Sequence, residues 1–595
     1  MDIKHLSVSV SIAMLTFSTA TQAVLGPIPI YLNTEYRTSA PAIGSISSTL
    51  SFDSDDIEAT GANTFLDFLS TVPSVGLVTP IGNVPAVFIR GNEARHTLFL
   101  VDGVNIHDIS STDAAAGYGL STIALNDIEK VDIIKGSGSV LYGASAVAGV
   151  ISITTKKGAN GKQVVASTKF GTHNAQNYAV SASSGDENSF IRFTHNQYSS
   201  DGINAQTGDS TGEEDGVEHY ATQIKLGNQH HNISYLESRN KTEYDGFGGA
   251  DGGELSDRKL NTVVINTTQE LDDHWQMFGT LSQTKSKRDS GANAATAGDK
   301  LKSTNIALRN DIRLDGDLFN VGLSQTHIEN VTDNLKHISQ EVFVNWQKNI
   351  TDLDVNAGVR HTKHNKFGHK SVYGLGIAKY LNNGIKLTSG YNTTFNAPSL
   401  FYLENSPSIK PEAGKNVEIG VEKQHRHHLI GAKLFSNKVK DSIAYDGSWN
   451  GANDYENTAR LATNGVELYA NTRINNYDID LSHHYADSKS NGQTTQSIRR
   501  PKNTTTISLK KNYEKFSSRL QIIKKSASLD DTTFNGVGDT KLKGYTLINA
   551  SSNYIISANT ELSLTIKNAT NKHYTTVVGY NNPGRTIEIG LNHQF

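Results

Sequence analysis

The chain has 595 residues, 59 acidic against 55 basic for a formal net charge of −4, with 36% hydrophobic residues and a mean hydropathy of −0.42. Beyond one short apolar stretch near the N-terminus, no segment approaches the roughly 20 apolar residues of a membrane-spanning helix, which excludes a helical transporter. With no cysteine there is neither a disulfide framework nor a thiolate metal centre, and the near-neutral charge leaves no footprint of nucleic-acid binding.

Lys4 and His5 precede an apolar stretch from Leu6 to Phe17, and small residues lead to Thr21-Gln22-Ala23. This pattern predicts an export signal over residues 1–23, cleaved after Ala23, with Ala20 as second choice. Residues 24–44 read as a linker, and residues 45–158 as a compact mixed domain. In that domain the polar segment Asp53-Ser54-Asp55-Asp56-Ile57 leads into Asn63 to Leu69, whose apolar positions suit a short amphipathic helix stopped by Pro73. Four near-continuous apolar runs follow, Ala86 to Arg90, Thr97 to Asp102, Lys130 to Lys135 and Gly149 to Lys156. Bounded by Gly and polar turns, they predict strands buried on both faces.

After Gly158 the texture changes to serial strands: Gln163 to Gly171, Asn177 to Ser184, Ser189 to Tyr198 and onward. Val355-Ala357-Val359, Val417-Ile419-Val421 and Val466-Leu468-Ala470 alternate with polar or small residues, giving each strand one greasy face. Short turns such as Leu381 to Gly384 alternate with long Gly/Asp/Asn-rich loops such as Asp201 to Gly216 and Asp245 to Gly253. That alternation is the signature of a barrel with a periplasmic and an external rim. Residues 159–595 accommodate roughly 20 strands at about 10 residues each, an even number being expected. Such a barrel leaves a pore that the preceding domain is placed to plug. Gln424-His425-Arg426-His427-His428 lies between two strand-like segments and reads as a short periplasmic turn rather than a transition-metal site. The last ten residues, Thr586 to Phe595, alternate strictly and end on an aromatic residue, as a closing barrel strand does.

The mixed domain resembles the plug of TonB-dependent outer-membrane transporters. Phe88-Ile89-Arg90-Gly91 and Leu98 to Val104 stand as its "IRG" and "LxLxDGV" blocks, Ile128 to Gly143 as its "IExIEVxxGPxSxLYG" block, and Ala146 to Ile153 as its "AxGGVINI" block. The glycines of Gly136-Ser137-Gly138 lack the Gly-Lys-Ser/Thr of a nucleotide loop. Gly390 to Leu400 with Pro407 to Glu412 resembles a mid-barrel block shared by many siderophore and haem receptors. The terminal stretch Asn568 to Tyr574, with Gly579-Tyr580 and Gly584-Arg585, is closer to the cobalamin transporters in order and spacing. The resemblance implies an outer-membrane antiparallel β-barrel of about 22 strands around an N-terminal mixed α/β plug. It further implies a monomeric, non-enzymatic protein set in outer-membrane lipid, energised by TonB and its inner-membrane complex.

Site residues follow from the resemblance. Pro27 to Thr34 resembles a TonB box, with Ile30, Tyr31, Leu32, Asn33 and Thr34 as the segment that adds as a strand to TonB. The apical plug loops Thr79 to Pro85 and His107 to Tyr118 stand where ligand is met, giving Ile81, Asn83, Pro85, Ser111 and Thr112 as contacts. Asp209, Glu213, Glu214 and Asp215 cluster before Gly216, and such hard oxygen donors in loops suit calcium. By motif the calcium set is Glu213, Asp215, Tyr244, Asp245 and Asp257, with Asn204 standing where an aspartate is expected. The first functional expectation is active uptake of cobalamin or a related corrinoid. Pro80-Ile81-Gly82-Asn83 departs from the polar loop of the cobalamin transporters, which keeps an iron-siderophore or haem ligand as the alternative. A passive porin or a barrel enzyme is disfavoured, because a complete plug blocks a pore and no nucleophile-base arrangement is visible.

Overall fold

The computed structural model describes residues 48–595 except 80–84, 108–119, 121–122, 159, 210, 246–253, 292–297, 446–453, 491–495 and 533–537. The plug opens with β1 (Ser48–Asp53), α1 (Ser54–Glu58), α2 (Phe65–Thr71), β2 (Val75–Val78), β3 (Ala86–Ile89), β4 (Thr97–Val101) and β5 (Val104–Asn105). It continues through β6 (Ile128–Lys135), α3 (Ser139–Tyr142) and β7 (Gly149–Thr155). The polar run expected only to lead into a helix is itself α1, because the Asp53 carboxylate accepts the Asp56 N–H at 2.9 Å and caps it. α2 begins two residues later than the apolar pattern suggested, since Thr64 spends its hydroxyl as the cap on the Asp67 N–H.

Five plug strands form one sheet in the order β1-β6-β7-β4-β5, with β4 and β7 parallel; β2 and β3 pair separately. Phe65, Phe68 and Leu69 of α2 are fully buried against Ile89, Phe99, Ile128, Val131 and Ile151, which forms the main core. The near-continuous apolar character of β3, β4 and β7 follows from burial on both faces, by plug core on one side and barrel lumen on the other.

Around the plug, 22 antiparallel strands close a barrel. The terminal strand Thr586–Gln594 seals it against the first, Gly161–Gly171, with Glu588 opposite Gly171 and Gln594 opposite Val165. The Phe595 N–H donates to the Val164 carbonyl at 2.9 Å. Ile587, Ile589 and Leu591 are exposed on the outer face, as the lipid-facing half of a period-two pattern must be. One rim carries only tight turns. Thr351, Arg426, Asn475 and Asn476 take positive φ there, and the histidine-rich segment is a two-residue turn between strands Glu412–His425 and His428–Tyr445. The opposite rim carries the long connections, including 204–214, 526–544 and 568–585. The mid-barrel block runs from strand Ile385–Asn396 into α4 (Leu400–Asn405), capped by the Ser399 hydroxyl.

Candidate functional site

Two features sit between plug and long-loop rim. The first is a set of ion pairs holding the plug in the lumen. After β3 the chain turns sharply, with Arg90 at φ 53° and Gly91 at φ 74°. That turn drives the Arg90 guanidinium between two barrel carboxylates, Nη1 at 2.5 Å from Glu418 Oε1 and Nη2 at 2.8 Å from Glu467 Oε2. Lys135, from the end of β6, also reaches Glu467 at 3.1 Å, and the guanidinium lies 4.4 Å from the centroid of Phe435. Five residues on, Arg95 pairs with Glu412 at 2.9 Å, and His96 meets the same carboxylate at 3.0 Å. All of these side chains are buried. Charges in such a place stay only when each has an opposite charge beside it.

The second feature is acidic. Carboxylate oxygens of Glu213, Asp215 and Asp245 lie within 4.8 Å of one another on two neighbouring long loops. Asp215 stands three residues above Glu218, whose side chain is 70% exposed on the outer face, so it lies outside the lipid-facing belt. Burial, opposed by the Ala205 N–H at 2.8 Å and reinforced by Asp245, Glu243 and Asp209, pushes its carboxyl up to about 6. Next to Ala205 in the chain, Asn204 keeps a buried Oδ1 with no hydrogen-bond partner among the described residues. Oxygen-only donors of this kind fit a hard divalent cation.

The plug reaches this corner directly. Val78, Ala86, Phe88 and Ala94 bury themselves against Ala205, Val577 and Tyr580 of the barrel loops. The Tyr580 hydroxyl donates to the Asp245 carbonyl at 3.2 Å, and Asn581 Nδ2 donates to the Asn204 carbonyl at 3.0 Å. Pro85, the residue before β3, is also buried. Ala205 and Val577 carried no signal of their own in the sequence. Tyr580 entered only through its resemblance, because an isolated tyrosine in a loop does not announce what it packs against.

The expected site residues are thus distributed unevenly. Glu213, Asp215 and Asp245 come together. Asp257 does not join them: it lies on strand Leu255–Asp272 on the same outward face as Val263 and Ile265, where Arg239 grips it with two bonds of 2.8 and 2.5 Å. The alternation of the strand decides this, since its odd positions face out and Ser256 and Arg258 face the lumen. Asn204 donates to Asp209 at 2.5 Å, while Asp209 also accepts the Thr211 and Gly212 N–H groups and so shapes the loop itself. The Tyr244 N–H donates to the Glu254 carbonyl at 3.1 Å, and its phenol is bonded at the Gly291 backbone. Ile30, Tyr31, Leu32, Asn33 and Thr34, with Ile81, Asn83, Ser111 and Thr112, lie outside the described residues, as does the expected export signal over residues 1–23.

Residues 42–150 match the TonB-dependent Receptor Plug Domain, and residues 151–571 match the TonB dependent receptor-like β-barrel. The chain belongs to the TonB-dependent receptor family. It is an outer-membrane transporter of that family, not an enzyme. The vitamin B12 transporter BtuB of Vibrio vulnificus (strain CMCP6) is 26% identical, covering 94% of this chain and 95% of the relative. The protein of the same name from Photobacterium profundum is 24% identical, covering 91% of each. Among solved structures, the siderophore receptor PirA from Acinetobacter baumannii superposes with a TM-score of 0.78 at 16% identity, over 92% of this chain and 98% of that one, a likeness of fold.

Proposed function

We propose that this TonB-dependent transporter takes up cobalamin or a closely related corrinoid. The observation that carries the reading is the match to vitamin B12 transporters over more than nine-tenths of the chain, in plug and barrel alike. The ligand rests in the cup above the plug, against Ile81, Asn83 and Pro85 of one apical loop and Ser111 and Thr112 of the other. Pro85 directly precedes β3, whose Ala86 and Phe88 belong to the buried corner where plug and loops meet, so a ligand pressing on that loop bears on β3 and the Arg90 turn.

Glu213, Asp215 and Asp245 hold calcium in this reading, with Asn204 Oδ1 as a neighbouring oxygen. The cation supplies neutralisation of three clustered carboxylates and a tie between two loops. The chain's own part is to fix those loops: Tyr580 bonds to Asp245, Ala205 to Asp215, and both pack on the plug. Below, Ile30 to Thr34 adds as a strand to TonB, and force applied there loosens the plug by breaking the Arg90 and Arg95 pairs.

Calorimetric titration of cyanocobalamin into the purified protein, with calcium and then with chelator, tests both halves. Tight binding that weakens on chelation supports ligand and metal together. Binding indifferent to chelation keeps the corrinoid and discards calcium, and no heat in either condition moves the assignment to siderophores and haem.

A further inference from the structure

The bonds that hold the plug are unevenly spread around the wall. Lys225 reaches Asp102 at 3.0 Å and Arg192 reaches Asp127 at 2.7 Å, from strands Asp215–Gly227 and Phe190–Ile203. Arg90 and Arg95 pair with the strands from Glu412–His425 onward, and further round Lys567 meets Asp67 at 2.9 Å. Between these two groups lies the arc of wall from Leu255–Asp272 to Leu353–His364. There a cavity of about 440 Å³ separates wall from plug, with Leu100 and Asn105 on the plug side and Arg258, Ser303, Glu341 and Arg360 on the other.

The cavity ends at α3. Arg360 donates from Nε to the Val140 carbonyl at 2.7 Å and from Nη2 to the Leu141 carbonyl at 2.8 Å, while its Nη1 holds Glu341 at 2.5 Å. A helix of one turn leaves such carbonyls without partners of its own, so the arginine takes the place of a further turn. The wall is dented to receive it. A Cβ on Gly358 would fall 2.7 Å from Val140 Cγ1, and one on Gly374 would fall 3.5 Å from Val140 Cγ2. Beyond α3, towards the tight-turn rim, the same arc carries Asp311, Asn320, Asn345, Gln347 and Asn356, bonded among themselves at 2.8 to 3.2 Å. Those bonds lie within the wall and do not depend on α3. The helix therefore stands between a cavity on the long-loop side and a hydrophilic stretch of wall below.

The segment carrying α3 is built to move as a piece. The Gly136 N–H donates to the Ala148 carbonyl at 2.8 Å and the Gly138 N–H to the Ala146 carbonyl at 3.0 Å, closing its base. Val147 packs there on Val439 and Leu461 of the wall. At the tip, the Ser145 hydroxyl donates to Asn396 at 3.0 Å, a second tie beside Arg360. The base also touches the Arg90 pair, since a Cβ on Gly136 would fall 2.1 Å from Glu418 Oε1. Disturbing that pair disturbs the hinge.

We infer that α3 is the gate of the transport route. Freed from Arg360, residues 139–145 swing off the wall and join the cavity to the polar stretch below. The ligand then passes along this arc while the rest of the plug stays in the lumen.

The test is ion conductance of the purified full chain in a planar bilayer without denaturant. Arg360→Gln/Glu341→Gln frees α3 without stranding a charge. It is expected to open about tenfold more often than the wild type, the factor that one charge-assisted hydrogen bond carries. Val140→Cys/Gly358→Cys added to it, in a chain with no cysteine of its own, closes these openings on oxidation and restores them on reduction. In cells, oxidation of Val140→Cys/Gly358→Cys alone is expected to stop uptake of labelled cyanocobalamin, and reduction to restore it. A double-glutamine variant no leakier than the wild type overturns the inference. So do openings that persist with the disulfide formed, and uptake that continues through it. A chain that takes up no cyanocobalamin in either state fails the corrinoid reading, and the conductance result decides the gate without it.

Discussion

Replacing Arg90 by methionine removes the centre of the plug–barrel contact while keeping most of its apolar volume. The consequence follows from what is left behind. Glu418 loses a bond of 2.5 Å, and Glu467 loses bonds of 2.8 and 3.2 Å but retains Lys135 at 3.1 Å. Breaking a buried pair from one side costs about 3–5 kcal/mol, because a desolvated charge is stranded. Lys135 compensates one of the two carboxylates, which puts the expected loss near the lower end, about 3 kcal/mol of plug docking. That corresponds to roughly a hundredfold rise in the undocked population. Glu418→Gln added to Arg90→Met removes the stranded charge, while Glu467 keeps Lys135, and is expected to restore most of the loss. The assay is ion conductance through the purified protein in a planar bilayer as urea is raised. Release of the plug opens the barrel at lower urea for Arg90→Met than for wild type, while the barrel itself stays folded. Identical urea midpoints for the two proteins would refute the reasoning, since the pairs would then hold nothing.

Three further outcomes follow from named contacts. Asp215→Asn/Asp245→Asn is expected to abolish calcium binding measured by calorimetry, whereas Asp257→Asn leaves it intact because that carboxylate faces outward onto Arg239. Ile589→Arg places a charge on the lipid face of the closing strand, where Ile589 is 54% exposed; an expected loss of about 2–4 kcal/mol near the midplane is read by urea unfolding in liposomes. Changing His425, His427 and His428 to alanine is expected to leave nickel and zinc retention unaltered, because these residues form an exposed two-residue hairpin turn and its flanks.

The barrel was legible because its physics is repetitive. A strand with one face in lipid and one in a wet lumen writes period two into every segment, and Val417-Ile419-Val421 sits outward as that pattern requires. The plug strands β3, β4 and β7 were legible for the opposite reason, as burial on both faces leaves unbroken apolar runs. β1 and β2 escaped notice: Ser48–Asp53 is half-buried and polar, and Val75–Val78 is only four residues long. The site was legible only in part. Acidic residues in two loops show in the sequence, but whether each points in or out depends on strand parity at the rim. That parity separates Asp215, buried beside Ala205, from Asp257, held outside by Arg239. The partners of Arg90 lie more than 320 residues away in the chain. A buried arginine demands carboxylates, yet nothing local says which of the many glutamates supply them.

Uptake of labelled cyanocobalamin by cells that lack their own transporter for it, and that express this chain, tests the central claim most directly. The account predicts accumulation that depends on this chain and disappears when residues 30–34 are deleted or the proton gradient is collapsed. No accumulation with the intact chain correctly inserted in the outer membrane would contradict the corrinoid assignment, and accumulation that survives both interventions would contradict TonB-driven transport.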